Sequence, residues 1–309
     1  MLAMRSFRRA AVVLLVLTLC SGLLAGPAAA DDPPFIPWSQ LLPGLSSQYD
    51  PSSANYCTAG KVRCIDAVIK EMDRRLDRSA AKCDHDAIFD LTYLRTTEQF
   101  RRASTTSGFF EDPPFLNHWA GVFATYYFDA YDDWQAGRKS SVPVAWKVAF
   151  EAADKRQVSA GGNLLLGMSA HVNRDLPFVL AEIGLVKPDG SSRKRDHDKV
   201  NEFLNRVTEP LIAEVARRFD PSISGLDVQG TQLDATTLFQ AIVVWRETAW
   251  RNAELLVAAK SAAARATVAA EIETQAATIQ STLKTANAYV PLVTSSAGRD
   301  AFCSTHWQG

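Results

Sequence analysis

Asn163, Gly167, His171 and Asp175 recur at every fourth position of the segment NLLLGMSAHVNRDLP, residues 163–177, so a helix places them on one face. Leu164, Leu165, Leu166 and Met168 occupy most of the remaining surface. A helix apolar on several sides is buried, and polar groups carried inside must be paired or must bind something. His171 and Asp175 have the i, i+4 spacing with which two side chains hold one metal ion. The same spacing serves an ordinary helix salt link. Pro177 has no N–H, so the carbonyl of Asn173 loses its helical donor and the segment ends or kinks there.

Three further histidines stand beside carboxylates. Asp84-His85-Asp86 and Asp196-His197-Asp198 match as triplets at expected helix starts. They read either as acid-capped helices or as a pair of ligand turns. His118 shares a helical stripe with Asp129 and Asp133, and its plain reading is a core histidine bonded to a neighbour. The run WRETAWRNAE (245–254) puts four charges on an apolar helix. Glu247 and Arg251 pair there at i, i+4, as an internal ion-pair network or with Glu247 as ligand or general base. Gly167-Met168-Ser169 begins like a nucleophile elbow but lacks its last glycine and its strand.

The N-terminus carries Arg5, Arg8 and Arg9, an apolar run from Ala10 to Leu24, and Ala28-Ala29-Ala30. This is the layout of a signal peptide, with cleavage expected after Ala30 and an extracytoplasmic destination. Cleavage removes three bases and no acid, moving the formal net charge from −1 to −4. No general nucleic-acid binder is indicated, and no later apolar run is long enough to span a bilayer. Cys57, Cys64, Cys83 and Cys303 remain, an even number that argues for disulfides in an oxidising compartment. Three connectivities are open. The simplest joins Cys57 to Cys64 and leaves Cys83 for Cys303, closing a long loop for about 4–5 kcal/mol in the chain-entropy model.

Amphipathic stripes and breakers place these residues on helices. Expected are Lys61–Arg78, a helix capped by Asp84 and running to Thr105, Phe115–Gln135, Val142–Arg156, and the central segment. A helix from Asp196 should be kinked or divided at Pro210, with Thr208 as a new cap. Asp234 should cap a central helix from Ala235 to Lys260, and a last helix should run from Ala262 to Ala288. There is no alternating pattern and no Gly-rich nucleotide loop. The expectation is an all-α, disulfide-stapled bundle of about eight helices in one domain at 57–290. An irregular arm at 31–56 precedes it and a tail at 291–309 follows.

CDHDAIFDLTYLRTTE (83–98), NLLLGMSAHVNRDLPFVL (163–180), DGSSRKRDHDKVNEFLN (189–205) and WRETAWRNAE resemble an uncharacterised family of exported bacterial proteins, a domain of unknown function, over roughly residues 57–290. His171, Asp175 and Pro177 are also similar to the H-x-x-x-D helix of the zinc-dependent phospholipase C and single-strand nuclease group. That group's N-terminal ligand tryptophan and second H-x-x-x-D/E motif have no counterpart here. The two likenesses imply an exported protein and a zinc hydrolase of an ester or phosphoester. Zn²⁺ would lie among His171, Asp175 and one or two of His118, His85 and His197, with Glu247 or Asp129 as general base. The ligand would be a small molecule or a lipid. The rival expectation is a non-enzymatic cell-envelope or small-ligand module whose buried polar groups only bond one another.

Overall fold

The computed structural model describes residues 45–225, 227–228, 231–232 and 235–308. The expected leader with its cleavage site, the arm up to residue 44 and the Asp234 cap lie outside the described residues. The chain is all-α. Its helices are α1 (Arg63–Ala80), α2 (Ala87–Thr105), α3 (Pro113–Gln135), α4 (Val144–Asp154), α5 (Ala160–Ser169), α6 (Leu176–Ile183), α7 (Lys194–Arg218), α8 (Ala235–Ala258), α9 (Ala262–Ala286) and α10 (Ser296–His306). A π-helical segment, Ala170–Asp175, joins α5 to α6. One two-residue antiparallel pairing, Asp227–Val228 with Thr231–Gln232, precedes α8. No helix among the described residues is long and apolar enough to cross a membrane.

The core helix is α3. Asp112 caps it by accepting the Phe115 N–H at 3.2 Å, and Pro113-Pro114 occupy first-turn positions where a missing N–H costs nothing. Every residue from Phe115 to Tyr131 is buried, so the stripe of His118 and Asp129 is internal and only its last member, Asp133, is half-exposed. The expected centre, α8, proves one-sided. Leu238, Ile242, Trp250 and Leu256 are buried, whereas Val244, Leu255 and Val257 are exposed.

Pro210 lies inside α7 without dividing it. Thr208 turns its hydroxyl back to the Leu204 carbonyl at 2.8 Å and caps nothing. At the start of α2 neither acid caps as expected, since the N-cap residue is Asp86 and its side chain bonds no backbone N–H. Asp196 reaches away from its own helix to the N–H groups of Glu111 and Asp112, at 2.8 and 3.0 Å.

Both expected disulfides form, Cys57–Cys64 and Cys83–Cys303. The first lies against α3, where a Cβ on Gly121 would stand 2.7 Å from Cys64 Sγ. The second fastens α10, a helix where only a tail was expected. Arg299 of α10 donates to the carbonyls of Cys83 and Asp84. The C-terminus thereby locks the turn between α1 and α2.

Candidate functional site

The polar face of the central segment looks inward onto α2. Gly167 is a close-approach position, since a Cβ there would meet the Phe89 ring at 2.3 Å. One turn on, the helix widens. Pro177 cannot donate to Asn173, and the Leu176 N–H bonds the His171 carbonyl, five residues back. The extra residue in this turn carries the His171–Asp175 pair, and single π turns of this kind recur at functional sites.

Asp175 is fully buried and accepts three donors. His171 Nδ1 lies 2.9 Å from Oδ2, Trp146 Nε1 of α4 lies 2.8 Å from the same oxygen, and Arg174 Nη1 lies 3.0 Å from Oδ1. Arg174 also donates from Nε to Glu273 of α9 at 2.7 Å. A carboxylate only accepts, so the imidazole proton sits on Nδ1 and Nε2 keeps its lone pair. Burial lowers the His171 pKa despite the hydrogen bond to Asp175, so the ring stays neutral. Its face stacks on Phe123, with centroids 3.6 Å apart, and the Tyr93 ring meets it edge-on at 4.5 Å.

His171 forms part of the wall of a cavity of about 90 Å³. Phe89, Tyr93, Phe100, Trp119, Phe123 and Phe203 supply most of its aromatic lining, with Arg246 at the wall from α8. Thr96 and Met168 are only half-buried and mark its rim. His171 is a lining residue and Asp175 is not, and the ring nitrogen left over from the bond to Asp175 is Nε2. That nitrogen is buried and has no hydrogen-bond partner among the described residues. The three cavity threonines are committed. Thr92, Thr96 and Thr97 donate to the carbonyls of Ile88, Thr92 and Tyr93 at 2.7, 2.8 and 2.8 Å.

A family model described as a family of unknown function, DUF5995, matches residues 65–286. The chain belongs to that family. No curated protein and no solved structure matches it. In this DUF5995 member the matched span runs from inside α1 to the end of α9. It therefore holds every side chain around the cavity and leaves α10 outside.

Of the residues expected around a zinc ion, His171 and Asp175 come together. His118 directs Nδ1 to the Cys57 carbonyl at 3.2 Å and Nε2 to the Ser47 carbonyl at 3.0 Å, the core role of the plainer reading. His85 contacts Asp300 and Asn163, at 3.2 and 3.3 Å, and burial with the nearby Arg299 charge holds its pKa down to about 4. His197 bonds the Arg246 carbonyl at 3.2 Å, and burial keeps it neutral.

The expected zinc sphere therefore does not assemble. No group of three His, Cys, Asp or Glu among the described residues could hold a metal. The oxygens of Asp175 are already taken by three donors. Neither proposed base reaches the cavity lining. Glu247 is half-buried and pairs with Lys194 and Arg251. Asp129 is buried on α3, where desolvation and the charges of Asp133 and Asp132 push its pKa up to about 7.

Two positions of this site were not assigned to it in the sequence. Trp146 is one, and nothing in the chain links position 146 to 175. Arg246 is the other; as a charge in WRETAWRNAE it was expected only to pair with the polar groups under the non-enzymatic reading.

Proposed function

We propose that this protein binds a small, largely apolar molecule in the aromatic cavity and that His171 Nε2 accepts a proton from it or from a water held beside it. One observation carries the reading: an imidazole that lines a largely apolar cavity is oriented by a buried carboxylate and keeps an unpartnered nitrogen. Buried polar atoms without partners are rare and call for an explanation, and an Asp-oriented histidine with a free Nε2 is the arrangement of a general base. The reaction class this supports is ester hydrolysis through an activated water. The residues around Asp175 do not fit a zinc ion, so no step is assigned to a metal.

A second reading, ligand binding without turnover, draws on the threonine hydroxyls being committed to helix carbonyls, which leaves the cavity without a threonine nucleophile. In that reading Nε2 accepts a hydrogen bond from the ligand.

The test follows p-nitrophenyl butyrate hydrolysis and 1-hexanol binding, the latter read by tryptophan fluorescence to which Trp119 contributes. The expected result is turnover by the wild type that His171→Gln lowers by about 10²–10⁴-fold, with hexanol binding retained. A base with a lowered pKa stays deprotonated in mild acid, so turnover should hold level as pH falls through 6.5 and decline only below. Hexanol binding without His171-dependent turnover would favour the second reading. No binding of either probe would overturn the proposal.

A further inference from the structure

Arg246 is 4 % exposed, yet no carboxylate pairs with it among the described residues. Its Nε donates to Asn201 Oδ1 at 2.8 Å and its Nη2 to the His197 carbonyl at 2.5 Å. Both acceptors are neutral and both stand on α7. Nη1 makes no hydrogen bond among the described residues. The charge of Asp198 favours the guanidinium, but that carboxylate is half-exposed and already paired with Lys194. The other buried arginines are treated differently. Arg174 has Asp175 and Glu273, Arg75 has Asp132 and Glu71, Arg193 has Asp112, and Arg299 has Asp300.

An uncompensated buried charge is costly, and burial pulls the Arg246 pKa down to about 10, which still leaves it charged at neutral pH. Arg246 lines the cavity, whose other polar residues are Thr92, Thr96 and Thr97, their hydroxyls turned to helix carbonyls, with Tyr93 and His171. A planar fork with a free edge matches a carboxylate.

We infer that the cavity's ligand is an amphipathic carboxylate, whose anionic head pairs with the free edge of Arg246 and whose short apolar body lies against Phe100, Trp119, Phe123 and Phe203. This names the ligand class of the cavity reading above and rests on it. The body is small. An engineered cavity of about 150 Å³ holds benzene, and the space here is about 90 Å³, so a longer chain must emerge between Thr96 and Met168. The two bonds to α7 aim the guanidinium before ligand arrives, which lowers the ordering cost of binding.

Hexanoate and 1-hexanol, matched in length and differing in charge, test this by calorimetry on the full chain. The wild type should bind hexanoate at least about tenfold tighter than hexanol, equal to about 1.4 kcal/mol. Arg246→Gln should bring the two to parity by losing hexanoate affinity while keeping hexanol, and Arg246→Lys should restore part of the preference. Retained hexanol binding shows that the glutamine variant is folded; if that variant does not fold, the wild-type and lysine comparisons decide alone. Equal binding of the two probes by the wild type, or a preference that survives Arg246→Gln, overturns the carboxylate and leaves the cavity reading standing. Failure of both probes to bind overturns both.

Discussion

Replacing Asp175 with Asn should be the most damaging isosteric change in this protein. The carboxylate brings three donors onto two oxygens: His171 and Trp146 on Oδ2, and Arg174 on Oδ1. An amide has one oxygen. If it faces His171 and Trp146, the NH₂ is pressed against the Arg174 guanidinium. If it faces Arg174, two buried donors lose their acceptor. Breaking a buried ion pair costs about 3–5 kcal/mol, and an orphaned donor about 1–3 kcal/mol. Glu273 still pairs with Arg174, so the first arrangement prevails, at about 3 kcal/mol. With a urea dependence of about 3 kcal/mol per M, the midpoint of urea unfolding should fall by about 1 M. Trp146→Phe removes one donor from the cluster and leaves the ion pair intact, so it should cost about 1–2 kcal/mol. An Asp175→Asn loss below about 1 kcal/mol, or one smaller than that of Trp146→Phe, would refute the assignment of Asp175 as the centre of this network.

Gly167→Ala puts a methyl into the Phe89 side chain and should cost about 1–3 kcal/mol by overpacking, with Phe89→Leu in the same chain recovering part of it by thermal unfolding. Asp129→Asn should stabilise the fold at pH 8 and not at pH 3.5. The carboxyl is held near pKa 7 when folded against 3.8 as a free group, so its contribution is intact below 3.8 and lost as pH rises through 7. After discounting for partial solvent screening the gain is about 2 kcal/mol, and a gain equal at both pH values would contradict it. Cys83→Ser with Cys303→Ser opens a loop spanning 220 residues and should cost about 5 kcal/mol, with cleavage by a protease appearing first around α10. Protection of α10 unchanged in that double variant would show that Arg299 alone holds it.

The periodic parts of this fold were legible because helix periodicity is a local property. Ile65, Val68, Ile69, Met72 and Leu76 are spaced as one helix face and fall on α1, and the i, i+4 face of residues 163–175 did turn inward. The α8 expectation failed because a long apolar count does not say which sides are covered: Val244 and Leu255 lie on a face left to solvent. Pro210 did not stop α7, since the turns on either side of it are held by Leu204, Val207, Leu211 and Val215, all buried. α10 was missed because a covalent bridge and Arg299 fix it, and both act from more than two hundred residues away. The site was half legible for the same reason. His171 and Asp175 are four residues apart and could be paired on sight. The Trp146 donor and the Arg246 wall arrive from other helices and have no local signature. The spacing that suggested a shared metal was in fact satisfied by a hydrogen bond between the two side chains themselves.

The wide turn at Ala170–Asp175 also sets a phase. Each α-helical residue advances the chain by about 100°, so the surplus residue rotates everything after it relative to everything before. Excising one position between Ala170 and Arg174 would return the rod to an even winding and swing Leu176, Phe178 and Val179, all interior now, out of register with the partners they pack on. Asp175 would move to three residues past the imidazole. The geometry of the His171–Asp175 pair thus hangs on a single inserted residue, kept in place by an imino acid two positions downstream of the carboxylate.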